Sequence, residues 1–447
     1  MKKSAIVWAA LLALALTSCG NAPSKTPETE PETTVETLHM LGMEQGDVVY
    51  EDFSDGEIGL SDYSERRLLY AIDETTATAR PVCAVPDCAH TDKSCPAYLQ
   101  NSIQCYVADD AVYAKIYNYV ESADGAGSYD SLEKINADRT ERTVMQKFSP
   151  STRLMDGMAS DAENLYFTLC KEDRSANSVS QTVCRLNKQT GKLDEIYCWD
   201  TWPDGTENTE QEPYRFMSAE NNCLYFAKEM ENDEGDTIIV GALNLDTCEY
   251  TELQHYEEDK QTVVPFSLDN FGYSSGREYG YANSGGETDI VEYDNQNGTV
   301  TVIDTVTGQR TVLAENLPIT DTANKTEYTV RRYADGYMLE IREEGRDASG
   351  AANGVNTEKQ FYCKNGTMTE IKQKYYLQGE EMEPITVADI RDGRVLAVCD
   401  AVMYTVQNTH ENGTIGSEQV SRGILGVLSM ENFLNGSVDY TPLAFTQ

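Results

Sequence analysis

The 447-residue sequence predicts an all-β chain, a β-propeller of about seven four-stranded blades, on three observations. Short apolar-aromatic segments return along the chain as VVYED, AVYAKI, NLYFTL, CLYFAK, EYGYAN, YMLEI and RVLAVC, and they align on Tyr50, Tyr113, Tyr166, Tyr225, Tyr279, Met338 and Leu396 at steps of 53 to 63 residues. Downstream of several lies a second signature, two strands joined by a short polar turn: LYAIDETTATARPV, CRLNKQTGKLDEIY, ALNLDTCEYTEL and VIDTVTGQRTVL. Alternating apolar and polar residues closed by Thr190-Gly191, Asn297-Gly298 or Thr307-Gly308 mark antiparallel hairpins. The third observation is that no 3.6-residue periodicity long enough for a substantial helix follows Leu16. A four-stranded unit cannot bury both faces alone, and radial stacking of such units protects their edges by closing a ring. Six or eight blades are the other counts, because the unit beginning at Tyr50 can be read as partial, with the segment near Tyr440-Thr441-Pro442-Leu443 completing a blade across the seam. A pair of β-sandwich domains is the competing architecture.

Taken in order, residues 1–18 read as a signal peptide. Lys2 and Lys3 precede an apolar run from Ala5 to Leu16, too short to span a bilayer comfortably. Leu16-Thr17-Ser18-Cys19 resembles the lipobox of bacterial lipoproteins. That resemblance implies a diacylglycerol thioether on Cys19, cleavage before it, and a mature chain tethered outside the cytoplasmic membrane. An uncleaved signal anchor with an incidental cysteine is the other reading. Residues 19–40 form a linker whose core, NAPSKTPETEPETTV, is rich in Pro, Thr and Glu and cannot bury enough apolar surface to fold, so it is expected as an extended spacer. The propeller is expected over 41–447.

Within its first blade, Cys83, Cys88, His90 and Cys95 fall inside thirteen residues as C-x4-C-x-H-x4-C. Three thiolates and one imidazole make a complete tetrahedral set for a structural zinc ion, and with four protein ligands no position stays open for catalysis. An exported protein also meets oxidants, so Cys83, Cys88, Cys95 and Cys105 suit two disulfides equally, with His90 an ordinary loop residue; free thiols are the third reading. The surrounding stretch, LLYAIDETTATARPVCAVPDCAHTDKSCPAYL, resembles a group of secreted lipoproteins of Gram-positive anaerobes carrying a TolB-like propeller domain of unknown function. The resemblance implies the propeller fold and an extracytoplasmic location, and it supplies no catalytic residues.

The remaining cysteines, Cys170, Cys184, Cys198, Cys223, Cys248, Cys363 and Cys399, lie mostly within strand patterns as small buried apolar residues, with Cys170–Cys184 and Cys223–Cys248 as candidate cross-strand pairs. Tyr197, Trp199 and Trp202, in YCWDTWPDG, are candidate ligand-stacking aromatics on a loop, or else the cover of a hydrophobic edge. The four histidines, His39, His90, His255 and His410, have no nucleophile signature such as G-x-S-x-G beside them, and no phosphate loop, dinucleotide fingerprint or EF-hand loop occurs.

Seventy-five acidic against 35 basic residues give a formal net charge of −40, and loss of Lys2 and Lys3 with the signal makes the mature chain more acidic still. Such a surface repels nucleic acid and anionic headgroups, so nucleic acid is not an expected partner and membrane attachment falls to the lipid on Cys19. The expected function is a surface-anchored, non-catalytic binding module for an extracellular glycan, peptide or envelope protein. The alternative is a propeller hydrolase or lyase acting on an extracellular polymer, its carboxylates hidden among many. A deep axial pocket with converging His, Asp or Glu would favour the enzyme.

Overall fold

The computed structural model describes residues 37–45, 48–54, 67–99, 102–122, 125–173, 175–176, 178–199, 202–203, 213–230, 237–258, 263–265, 272–274, 277–283, 286–319, 324–346, 352–377, 380–409 and 415–446. The expected signal peptide, Cys19 and most of the expected linker lie outside them. The described chain is all-β and forms a seven-bladed β-propeller within the unit Thr37–Gln447. Among the described residues the only helix is α1 (Met430–Asn435), capped by the Ser429 hydroxyl at Asn432 N and closed by Gly436 at φ 72°.

Burial explains why these segments become blades. The second strand of a blade is sandwiched between neighbouring blades, so both of its faces must be apolar. Asn164–Asp173 in blade 3 and Cys223–Met230 in blade 4 accordingly carry unbroken buried runs. The outermost strand has only one neighbour and reads as mostly exposed, as in Glu249–Glu257. Blade 2 (102–147), blade 3 (152–198), blade 4 (215–257), blade 5 (277–314) and blade 6 (324–370) each run through four antiparallel strands in sequence order. Blade 7 is built on Val387–Arg391, Arg394–Thr409 and Ile415–Ser429.

Six of the seven aligned repeat residues lie on the second strand of their blade. Tyr279 is the exception, sitting on the first strand of blade 5, Arg277–Asn283; the second strand there is Thr288–Asp294. The expected turns are present, with Gly191, Gly298 and Gly308 at φ 67°, 61° and 68°. At Gly298 a side chain is excluded twice over, since a Cβ would also come within 2.3 Å of the Leu317 carbonyl oxygen.

The seam is closed by the C-terminus. Thr441–Pro442 pairs with the third strand of blade 7, and Ala444–Phe445 then runs parallel to Thr78–Ala79 on the outer edge of blade 1. Phe445 packs edge-on against Tyr70, ring centroids 5.3 Å apart.

The other end of the described chain fills the middle. His39–Met40 pairs with Ala159–Ser160 on the inner strand of blade 3, Leu41 N donates to the Met158 carbonyl at 2.8 Å, and Val107 N of blade 2 donates to the Gly42 carbonyl at 2.9 Å. Gly286 of blade 5 stands against the Leu41 backbone, Glu44 pairs with Arg391 of blade 7, and Tyr50 N of blade 1 donates to the Met43 carbonyl. Residues 39–44 thus touch five blades as an axial strut. The linker expected over 19–40 therefore ends earlier than its composition suggests, because His39 and Met40 already belong to a strand.

Candidate metal centre and axial groove

The Cys/His loop is a detour in the outer edge of blade 1. Strand Thr78–Pro81 ends where Val82 N donates to the Leu69 carbonyl, and the chain returns with Leu69 N on the Ala97 carbonyl and Leu99 N on the Arg67 carbonyl, all at 2.9 Å. Both ends of the loop are therefore fixed to one strand, Arg67–Asp73. Between them the chain folds tightly. Asp87 and His90 both take φ 54°, and Asp92 accepts from Ser94 N at 2.8 Å and from the Ser94 hydroxyl at 2.6 Å. Blade 2 holds the far side, with Ala84 N donating to the Arg139 carbonyl at 2.8 Å and the Arg142 guanidinium donating to the Tyr98 carbonyl. The loop is a bridge between two blades.

This folding gathers one donor atom from each of Cys83, Cys88, His90 and Cys95, all within 4.8 Å of one another, and His90 Nδ1 lies 3.1 Å from Cys95 Sγ. Zinc bonds of about 2.3 Å to sulfur and 2.0 Å to nitrogen place tetrahedral donors roughly 3.5–3.8 Å apart, so the constellation fits such an ion with little adjustment. Burial pushes the Cys95 thiol up to about 12 and the Cys83 thiol upward, and it lowers His90 so that its imidazole favours the neutral form a metal needs. Those two thiols need a cation nearby to ionise. None of the eleven described cysteines is joined in a disulfide, the three of this loop and Cys105 included.

The candidate cross-strand pairs do not form. Strand register sets Cys184 opposite Phe167, and Cys170 opposite Gln181, while Cys223 faces Asn244 and Cys248 sits in the following turn. Trp199 is a correction to the ligand-stacking expectation. It is 6% exposed, stacks on Tyr214 at 4.2 Å, and meets Tyr197, Phe226 and Tyr250 edge-on. An indole so enclosed seals the joint between blades 3 and 4 and has no face left for a ligand. Tyr197 is half-buried in the same cluster, and the Trp202 side chain lies outside the described residues. His255 is exposed and pairs with Glu252 at 3.4 Å; His410 lies outside the described residues.

A polar groove opens beside the strut. Its axial part, about 280 Å³, lies between Glu44, Asn283, the turn at Tyr333-Ala334, and Asp389 and Arg391 of blade 7. Its outer part, about 410 Å³, crosses the gap between blades 5 and 6, and the same turn with Arg332 lines both. Arg332 is held by Glu287 at 2.5 Å and Asp289 at 3.2 Å, and Tyr337 donates its hydroxyl to Asp289 at 2.7 Å. Arg391 is held by Asp389 and Glu44. Burial raises Asp289 above the usual carboxylate range and pushes Asp389 up to about 6. None of these residues stands out in the sequence, since they are scattered over strands and turns of blades 5, 6 and 7 and the strut. The trace they leave is a charged residue at a strand position where the pattern calls for an apolar one, as in Val-Ala-Asp-Ile-Arg.

No protein-family profile and no curated protein matches the chain. Among solved structures it is similar to an oligogalacturonate lyase in complex with manganese, at 12% identity and TM-score 0.42 over 87% of this chain and 90% of that one. It is also similar to TolB from Acinetobacter baumannii, at 9% identity and TM-score 0.30 over 85% and 76%, and to an ulvan lyase of polysaccharide lyase family 25, at 9% and 0.27 over 90% and 81%. These are likenesses of the ring of blades and say nothing about the chemistry of the groove or the loop.

Proposed function

We propose that the chain is a lipid-anchored, extracytoplasmic propeller that works as a non-catalytic binding module, with one structural zinc ion stapling blade 1 to blade 2. The observation that carries the binding reading is the filled axis. Residues 39–44 occupy the centre of the ring, and beside them lies an open groove in which Glu44, Asp289, Asp389, Arg332 and Arg391 are clamped in ion pairs. Held against guanidinium groups, Asp289 and Asp389 are fixed hydrogen-bond partners for a bound molecule. Anchoring rests on the Lys pair, apolar run and Leu-Thr-Ser-Cys of residues 2–19. For the metal, three thiolates and an imidazole are a soft donor set suited to zinc, whereas the manganese of the lyase named above is an ion that favours oxygen ligands.

The purified full chain, presented with a panel of extracellular polysaccharides, should retain a ligand without generating new chain ends. Cleavage products appearing in proportion to protein and time would replace this reading with a hydrolase or lyase. Cys19→Ala should release the protein into the medium or leave an unprocessed precursor, and unchanged size with unchanged detergent partitioning would refute the anchor.

A further inference from the structure

We propose that the groove running from the strut across the gap between blades 5 and 6 is the ligand site, and that its ligand is a short stretch of a neutral oligosaccharide. This deepens the binding reading above and rests on it. The two parts share Arg332 and the Tyr333-Ala334 turn as a common wall, and together they reach the size of sites that hold small ligands, about 300–1,000 Å³.

The base of the groove is built rather than incidental. Asp289, Asp389 and Arg391 are each more than nine-tenths buried, yet they line it. Each is immobilised by a partner of opposite sign: Asp289 by Arg332, and Asp389 by Arg391. A third pair, Lys364 with Asp335 at 3.7 Å, stands on the outer wall. A clamped donor beside a clamped acceptor is what a vicinal diol needs, because each hydroxyl both gives and takes a hydrogen bond. Three such pairs along one groove offer the same recognition repeatedly, as a chain of similar sugar units presents itself repeatedly.

Charge selects the class. Five carboxylates and four cationic side chains line the two parts, so the groove is close to balanced in a chain of net charge −40. Arg332, Arg391 and Lys364 are each already matched by an acid, and the field of the whole molecule repels an anionic polymer. An apolar ligand would exclude water from these buried ion pairs without returning any hydrogen bond.

The test uses the full chain in detergent micelles with four probes: tetrasaccharides of β-1,4-glucan, β-1,4-mannan and α-1,5-arabinan, and tetragalacturonate. At least one neutral probe should bind at least tenfold more tightly than tetragalacturonate. The double variant Gln309→Ala/Lys364→Ala changes exposed groove walls only and should melt as the parent does, yet weaken that binding at least tenfold. Tyr119→Ala, an exposed aromatic on blade 2, should leave it unchanged. Preference for tetragalacturonate overturns the class, and undiminished binding by the double variant overturns the location. If no sugar binds while an extracellular protein or peptide does, the oligosaccharide proposal falls and the binding-module reading stands; turnover of a sugar without need of any other component removes both.

Discussion

Single residues carry the metal argument, and His90 separates its rivals. A disulfide reading gives His90 no bond to lose, while a zinc reading makes it one of four ligands gathered within 4.8 Å. His90→Ala should therefore lower zinc content below one per chain and lower the melting temperature, and a chelator should destabilise the parent far more than the variant, because a closed site ties metal affinity to folding. Equal metal content and equal melting in parent and variant would end the zinc assignment. This site was legible in the sequence because its four ligands sit within thirteen residues, so spacing alone reports proximity. The groove was not legible. Asp289, Arg332, Asp389 and Glu44 come from four places in the chain, and only ring closure brings them near one another. Trp199 shows the opposite failure: a polar-looking loop sequence hid an aromatic joint, since Tyr214 and Tyr250, its covers, belong to the next blade.

At the scale of strands and blades, the legible elements are those buried on both sides. Second strands such as Asn164–Asp173 announce themselves by continuous apolar runs, whereas outer strands such as Glu249–Glu257 blend into turns. Blade 5 misled the alignment because its first strand carries the Tyr279-Gly280-Tyr281 run and its second holds Asp289 and Glu292 among the apolar residues. The seam between blades 7 and 1 holds a further element-scale feature that no pattern reveals. Glu74, just beyond the strand Arg67–Asp73, is 2% exposed, and facing it are Asp389 and Asp392 of blade 7 with Arg394 at 3.9 Å. Burial first, then the Asp389 charge, pushes Glu74 from 4.5 up to about 8. The folded chain then holds a proton that the unfolded chain releases near 4.5, so the stability Glu74 contributes is full below that value and is lost as pH rises through about 8. Glu74→Gln should accordingly melt like the parent at pH 5 and higher than it at pH 9, by on the order of 2 kcal/mol in unfolding free energy. A variant no more stable than the parent at pH 9, measured by thermal unfolding at both values, would show that Glu74 ionises freely in the fold.

For the whole molecule, the decisive question is whether seven blades unfold as one. A ring closed only by neighbour contacts could open at its weakest joint, as stacked repeats do, with each interface contributing separately. Here two features oppose that. The C-terminal strand Ala444–Phe445 locks the seam from outside, and the strut of residues 39–44 reaches blades 1, 2, 3, 5 and 7 from inside. Leu41 is the strut's apolar anchor, 1% exposed and packed with Tyr106, Tyr113, Phe167 and their neighbours from blades 2 and 3. Leu41→Ala removes about 2–5 kcal/mol of packing at one point. If the strut couples the blades, that loss is felt by all of them, and the variant should show one sharp transition at lower temperature, with coincident changes in tyrosine fluorescence and far-ultraviolet circular dichroism. If the blades are coupled only edge to edge, the same substitution should loosen blades 2 and 3 first, and the two signals should separate. Two resolved transitions in Leu41→Ala, against one in the parent, would show that the axis is merely filled and that the ring is held by its rim.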